Sequence, residues 1–121
     1  MTDRAFVGTV AEVEVENYLK RHGLSPVMRN YRTPMGEVDL VMKKGDIIVF
    51  VEVKYREEIN DISALEAITP AKQRRIAKAA LSYMNRPGMQ DMSMRFDVVT
   101  VEAGKIDWIE DAFQAPSMYR R

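Results

Sequence analysis

Ile47-Ile48-Val49-Phe50-Val51-Glu52-Val53-Lys54 is the stretch that decides the fold. It is almost continuously apolar and β-branched, the composition of a strand covered on both faces, so it belongs at the centre of a sheet. Immediately upstream, Glu37 to Met42 reads as a second strand, and Lys43-Lys44-Gly45-Asp46 reads as the tight turn between the two. Val27 to Tyr31 is a further strand, connected through Thr33-Pro34-Met35-Gly36, which makes the three a meander.

Helical patterns flank this meander. From Arg4 to Arg21, apolar side chains at Val7, Val10, Ala11, Val15, Tyr18 and Leu19 recur at intervals of three and four, and Gly23 stops the run. On the other side a polar, acidic loop spans Glu57 to Ser63. Thr69-Pro70 then supplies an N-cap and a proline at the first helical position. The helix that follows runs from Ala71 to about Met84, with Ile76, Ala80 and Tyr83 or Met84 on its apolar side and Pro87-Gly88 closing it. Phe96 to Val101 is a fourth strand and Ile106 to Ile109 a short fifth, with a helical turn and a frayed end expected in the tail. The order α-β-β-β-α-β-β, without repeat or linker, predicts one α/β domain over residues 1–121, a mixed sheet flanked by helices.

Composition narrows the chemistry. With 121 residues, 46% hydrophobic and 30% charged, the chain has the profile of a folding globular domain. Eighteen Lys and Arg balance eighteen Asp and Glu, which excludes binding driven by bulk charge and leaves local patches to be read. No cysteine is present, so disulfides, thiolate metal sites and cysteine nucleophiles are out. His22 is the single histidine, which leaves almost no material for a His-rich metal site or Ser/His/Asp hydrolysis. The longest purely apolar run, Ile47 to Val51, is far short of the roughly 20 residues of a membrane helix. No apolar h-region follows the first charges, so a cytoplasmic protein without a membrane partner is expected. The nine methionines are scattered and read as core filler.

Carboxylates must therefore carry any chemistry. Glu52 and Lys54 are two apart in the most apolar strand and project from one face of the sheet. Such a pair needs a partner, a bound cation or a strand end in water, and a strand-end salt bridge is the commoner role of an isolated Glu-x-Lys. The preceding strand changes the balance. Alternation places Glu37 and Asp39 on one face and Val38 and Leu40 on the other, and the meander brings mid-strand Asp39 beside Glu52. Two adjacent carboxylates raise each other's pKa unless a cation sits between them, which describes either an oxygen-ligand Mg²⁺ site or a structural Asp-Lys-Glu cluster. A third acid from the first helix is available in Glu12, Glu14 or Glu16. Glu14 falls within the apolar stripe, Glu12 at its edge and Glu16 outward, so periodicity slightly favours Glu14.

Gly36-Glu37-Val38-Asp39-Leu40-Val41, Val49-Phe50-Val51-Glu52-Val53-Lys54-Tyr55-Arg56 and Arg95-Phe96-Asp97-Val98-Val99 together closely resemble the YraN family of small bacterial endonuclease-like proteins. The resemblance extends to Glu12, Tyr18-Leu19 and Gly23, to Arg29-Asn30, to Lys72-Gln73, and to Trp108-Ile109 with Asp111-Ala112-Phe113. That family looks like a member of the PD-(D/E)XK nuclease superfamily, with a restriction-endonuclease-like α-β-β-β-α-β core and a site similar to that of archaeal Holliday-junction resolvases. The resemblance implies a metal-dependent endonuclease acting on nucleic acid, DNA ahead of RNA and branched structures among the candidates. It implies Asp39, Glu52, Lys54 and Glu12 as catalytic residues and Asp39, Glu52, the Val53 carbonyl and Glu12 as ligands of Mg²⁺ or Mn²⁺. Gln73 is a weaker candidate for positioning.

Two acid-free basic stretches bracket the site: Lys20, Arg21, Arg29 and Arg32, and Lys72, Arg74, Arg75, Lys78 and Arg86. Arg29, Arg32, Arg56, Lys72, Arg74, Arg75 and Lys78 are the expected phosphate contacts, and the four on the second helix are expected on an exposed face, too far from the strands to do chemistry. The rival is a catalytically silent nucleic-acid-binding or assembly module that keeps the fold and uses the site as a structural cluster. Asp39, Glu52 and Lys54 favour the enzyme; the acidic Glu57-Glu58-Ile59-Asn60-Asp61 loop favours the rival. A second copy of the chain is left open as a partner.

Overall fold

The computed structural model describes residues 4–56 and 68–115. The elements are α1 (Arg4–Arg21), β1 (Ser25–Thr33), β2 (Gly36–Lys44), β3 (Ile47–Arg56), α2 (Pro70–Met84), β4 (Ser93–Glu102) and β5 (Lys105–Ile109). The acidic loop expected at Glu57 to Ser63 lies outside the described residues. The five strands form one sheet in the order β1-β2-β3-β4-β5, so β3 is central as its composition requires. Among the described strands, β3 and β4 pair in parallel, the direction change that a crossover through α2 makes possible, and the other neighbours pair antiparallel. This is the mixed sheet with flanking helices of a restriction-endonuclease-like core.

Among the described residues, one helix packs on each face of the sheet. Ala11, Val15 and Leu19 of α1 pack with Leu40, Met42, Val49, Val51 and Val99. Ile76, Ala77, Ala80 and Met84 of α2 pack with Val41, Ile48, Phe50, Phe96 and Val98. Successive residues of β3 therefore feed opposite cores, which is why its sequence shows no polar alternation before Glu52. Helix ends are set by local chemistry. Gly23, at φ 96°, donates to the Lys20 carbonyl at 3.2 Å while Leu24 donates to Leu19 at 3.0 Å, and both leucines are buried together. At α2, Thr69 accepts the Lys72 N–H at 3.2 Å with Pro70 next in line.

Three expectations are corrected. Val10 is 40% exposed, and the buried line of α1 is Ala11, Val15 and Leu19, so the stripe is narrower than counting all apolar residues suggests. The helical turn expected in the tail does not form over residues 110–115: Asp111 adopts φ 51°, the Ala112 N–H donates to the Phe96 carbonyl at 2.7 Å, and Phe113 stacks on Phe96. Residues 116–121 lie outside the described part. Third, Val38 and Leu40 do not share a face. Val38 packs on the α2 side and Leu40 on the α1 side. Opposite them, Tyr31 meets Tyr83 of α2 while Arg29 meets Glu16 of α1. Both strands therefore change face at the facing positions Asn30 and Asp39, and Asn30 sits at φ 53°, a left-handed conformation that asparagine tolerates better than other side chains.

Gly36, the first residue of β2, lies against the backbone of α2: a Cβ there would fall on the Arg75 carbonyl. Main chain cannot swing aside as a side-chain tip can. Gly36→Ala is expected to lower stability by about 2–3 kcal/mol, read as a lower urea midpoint at unchanged m.

Candidate active site

The site forms where the β2–β3 ladder gives way. Pairing runs from Lys44↔Ile47 to Leu40↔Val51, and one step further the Val53 N–H donates to the Asp39 carboxylate at 2.8 Å. Asp39 thus occupies the break in alternation and turns its carboxyl toward β3. Glu52 and Lys54, alternating with the inward Val51, lie on the α2 side. From α2, Lys72 Nζ reaches Glu52 Oε1 at 3.0 Å. From α1, Glu12 faces the same cleft and accepts the side-chain amide of Asn30 at 3.3 Å. The cleft holds about 260 Å³, below the roughly 300–1,000 Å³ of a small-molecule pocket. That is room for a small polar group, not for an enclosed cofactor.

Its electrostatics are those of crowded acids out of water. Burial raises the Glu52 carboxyl to about 7, and the charge of Asp39 adds to the rise against the pull of Lys72 and Lys54. Asp39 is also raised by burial, though the Val53 N–H and Glu52 hold it back. Burial, then Asp39, raises Glu12. Lys54 is lowered by burial and by the neighbouring Lys72. For Lys72 burial acts downward, but Lys54 and the Glu52 charge outweigh it and the ammonium is raised. Asp39 and Glu52 are the two carboxylates that could share a cation, and the charge of Asp39 reaches Glu12 as well.

The uncharacterised protein family UPF0102 matches residues 11–101 of this chain. A UPF0102 protein of Cupriavidus pinatubonensis is 45% identical, covering 88% of this chain and 84% of the relative. One from Herminiimonas arsenicoxydans is 40% identical over 94% and 91% of the two chains, and one from Shewanella baltica 44% over 88% and 98%. The chain belongs to UPF0102.

In this UPF0102 protein the structure gathers Glu12, Asp39, Glu52, Val53, Lys54 and Lys72 around one cleft. Glu14, favoured by periodicity, is exposed, and Glu16, read as outward, is 8% exposed and held by Arg29 at 2.8 Å. The reason is the narrow stripe: Glu12 and Glu16 are one turn apart on the flank facing β1. Gln73 donates to the Ile68 carbonyl at 3.0 Å and does not line the cleft. Lys72, expected on a remote exposed face, is instead in contact with Glu52, because the Thr69 cap starts α2 beside the end of β3. Arg74 and Arg75 are exposed, with Arg75 at the cleft; Lys78 is half-buried. Arg32 reaches Glu37 at 3.5 Å, and Arg56 ends β3. Asn30, which the sequence marks only within the Arg29-Asn30 resemblance and with no role, holds Glu12 through its side-chain amide. No helix of the described residues is long and apolar enough to cross a membrane.

A larger cavity, about 670 Å³, opens at the other end of β4, but its charged groups are engaged, Arg95 with Asp97 and Asp111 with Gln114.

Glu52 links stability to pH. The unfolded carboxyl titrates near its ordinary 4.5 and the folded one near 7, so between those values the folded chain holds a proton the unfolded chain has lost. Stability should fall as pH rises through that window, by up to about 3 kcal/mol. In chelator-containing buffer, Glu52→Gln should remove most of this slope; parallel unfolding curves for the two proteins across the window would refute it.

Proposed function

We propose that this UPF0102 chain is a metal-dependent nuclease that hydrolyses phosphodiester bonds of nucleic acid, DNA ahead of RNA, with branched DNA among its substrates. The observation that carries the reading is the desolvated Asp39–Glu52 pair with Lys54 beside it, in a cleft open to the surface. A structural role alone gives no reason to hold two carboxylates together away from water. The nuclease-like YraN resemblance of these same segments supports it.

The donor set suits a hard divalent ion. Mg²⁺ is typically held by one or two carboxylates together with waters and substrate phosphate, and no group of three acids at ligating distance is found among the described residues. Asp39 and Glu52 would hold Mg²⁺ or Mn²⁺, with the Val53 carbonyl alongside and Glu12 acting through water. When bound, such an ion polarises the phosphate and lowers the pKa of its water. The chain's own residues do the rest. The Val53 N–H fixes the Asp39 carboxyl, and Asn30 fixes Glu12. Lys54, lowered by burial and by Lys72, orients the attacking water at its Nζ and balances charge on the phosphorane. Arg74 and Arg75, exposed on α2, contact phosphates away from the reacting centre.

One observation favours the second reading, a silent binding module: Lys72 neutralises Glu52 and the Val53 N–H engages Asp39, so the site is partly satisfied by protein groups alone.

Labelled linear, flapped and four-way DNA, each with Mg²⁺ or Mn²⁺, separate the two. Cleavage by the wild type should be lost in Asp39→Asn and reduced roughly 10²–10⁴-fold in Lys54→Ala, with DNA affinity nearly unchanged. Binding without cleavage of any substrate by either metal would leave the silent module.

The phosphate-binding arginines have their own readout. Arg74→Ala with Arg75→Ala should weaken binding to all sequences alike and flatten the salt slope by about one for each phosphate that is no longer neutralised. An unchanged slope would place the DNA elsewhere.

A further inference from the structure

Helix capping puts Lys72 in the cleft. Thr69 and Pro70 fix where α2 begins, and the contact of Gly36 with the Arg75 backbone fixes how closely the helix lies on the sheet. The third residue of the helix then sends its ammonium to Glu52 Oε1 at 3.0 Å, beside Lys54 on the wall of the same cleft. The Glu52 side chain is 8% exposed and that of Lys72 36%, so their attraction acts in a medium less polar than water. Two cations thus face two carboxylates. Both lysines sit on four-carbon stems, but Lys72 is the one in direct contact with a Glu52 carboxylate oxygen.

We propose that Lys72 is the protein's own cation in this site: it holds Glu52 until a divalent ion takes the Asp39–Glu52 pair, and the released ammonium then binds the substrate phosphate beside Lys54. The inference rests on the metal-dependent reading above and adds the group that couples metal loading to phosphate binding. The physical basis is competition. A divalent ion on Glu52 and an ammonium 3.0 Å from the same carboxylate oxygen repel each other, and the singly charged, side-chain-borne group gives way to the doubly charged ion. Once displaced, Lys72 lies in a cleft already lined by Lys54 and Arg75, where an anion is the partner available to it. Metal and phosphate then favour each other reciprocally, as linkage requires.

Calorimetric titration of the full chain with Mn²⁺, and binding of labelled four-way DNA with and without Ca²⁺, test this. Lys72→Met, which keeps the stem, should bind Mn²⁺ roughly five- to tenfold more tightly than the wild type, and Ca²⁺ should no longer improve its DNA affinity. Arg75→Met removes a charge from the same cleft and should leave Mn²⁺ affinity within about twofold. Lys72→Gln serves as the second variant if Lys72→Met does not fold, with the same outcomes expected. Unchanged or weaker Mn²⁺ binding in the Lys72 variants, or an equal gain in Arg75→Met, would overturn the exchange while leaving the metal site standing. Absence of Mn²⁺ binding in the wild type and all variants would overturn the metal site and the exchange with it.

Discussion

The bond from the Val53 N–H to the Asp39 carboxylate, 2.8 Å long, stands where a continued β2–β3 ladder would supply a backbone carbonyl. A side chain has replaced a rung of the sheet. The replacement is possible because β1 and β2 change face together at Asn30 and Asp39, which frees Asp39 from the alternation that would otherwise aim it at a core. Asn30 meets the conformational demand with φ 53° and uses its amide to hold Glu12. One local irregularity thus places two of the three acids and leaves the end of β3 open for the third.

The helices complete what the irregularity begins. α1 is anchored by Ala11, Val15 and Leu19 and by its glycine stop, and its flank toward β1 carries Glu12 at the cleft and Glu16 on Arg29 one turn later. The Glu16–Arg29 pair bonds through both Nε and Nη2, which ties the helix to the edge strand next to Asn30. α2 is anchored on the opposite face by its cap and by contact with Gly36. The cleft lies between two elements clamped at short range, so the positions of Glu12 and Lys72 follow from packing distant from the charges themselves.

The architecture was legible because it depends on composition and punctuation. The double-sided apolar run of β3, Thr69-Pro70 and Gly23 each state a local rule that the fold obeys. The pair Asp39 and Glu52 was legible for the same reason, since charge in such strands is costly. The choice among Glu12, Glu14 and Glu16 was not, because the wheel was centred by counting Val10, which the fold leaves exposed, and the correct centre is set by what α1 packs on. The face change at Asp39 was hidden as well: its cause is a backbone torsion at Asn30 on another strand, and no period-two reading of β2 contains it. Lys72 reads as one of several basic helix residues until the packing of α2 on β2 is known.

Asp97 shows what a purely structural strand carboxylate looks like here. It is fully buried, yet both oxygens are satisfied: Arg95 donates Nε and Nη2 at 2.8 Å each, the Trp108 indole N–H donates at 2.9 Å and the Asp111 N–H at 2.9 Å. Four donors surround one carboxylate, the arrangement that makes a buried charge tolerable. Among the described residues, Asp39 has one backbone donor and a second carboxylate as neighbour, and that neighbour is raised to about 7. The two strand aspartates of one sheet thus differ: among the described residues Asp97 on β4 receives four donors, whereas Asp39 on β2 receives one and faces a second acid. On the metal-dependent reading proposed above, the lone pairs of Asp39 that the Val53 N–H does not take are the ones that would face the ion.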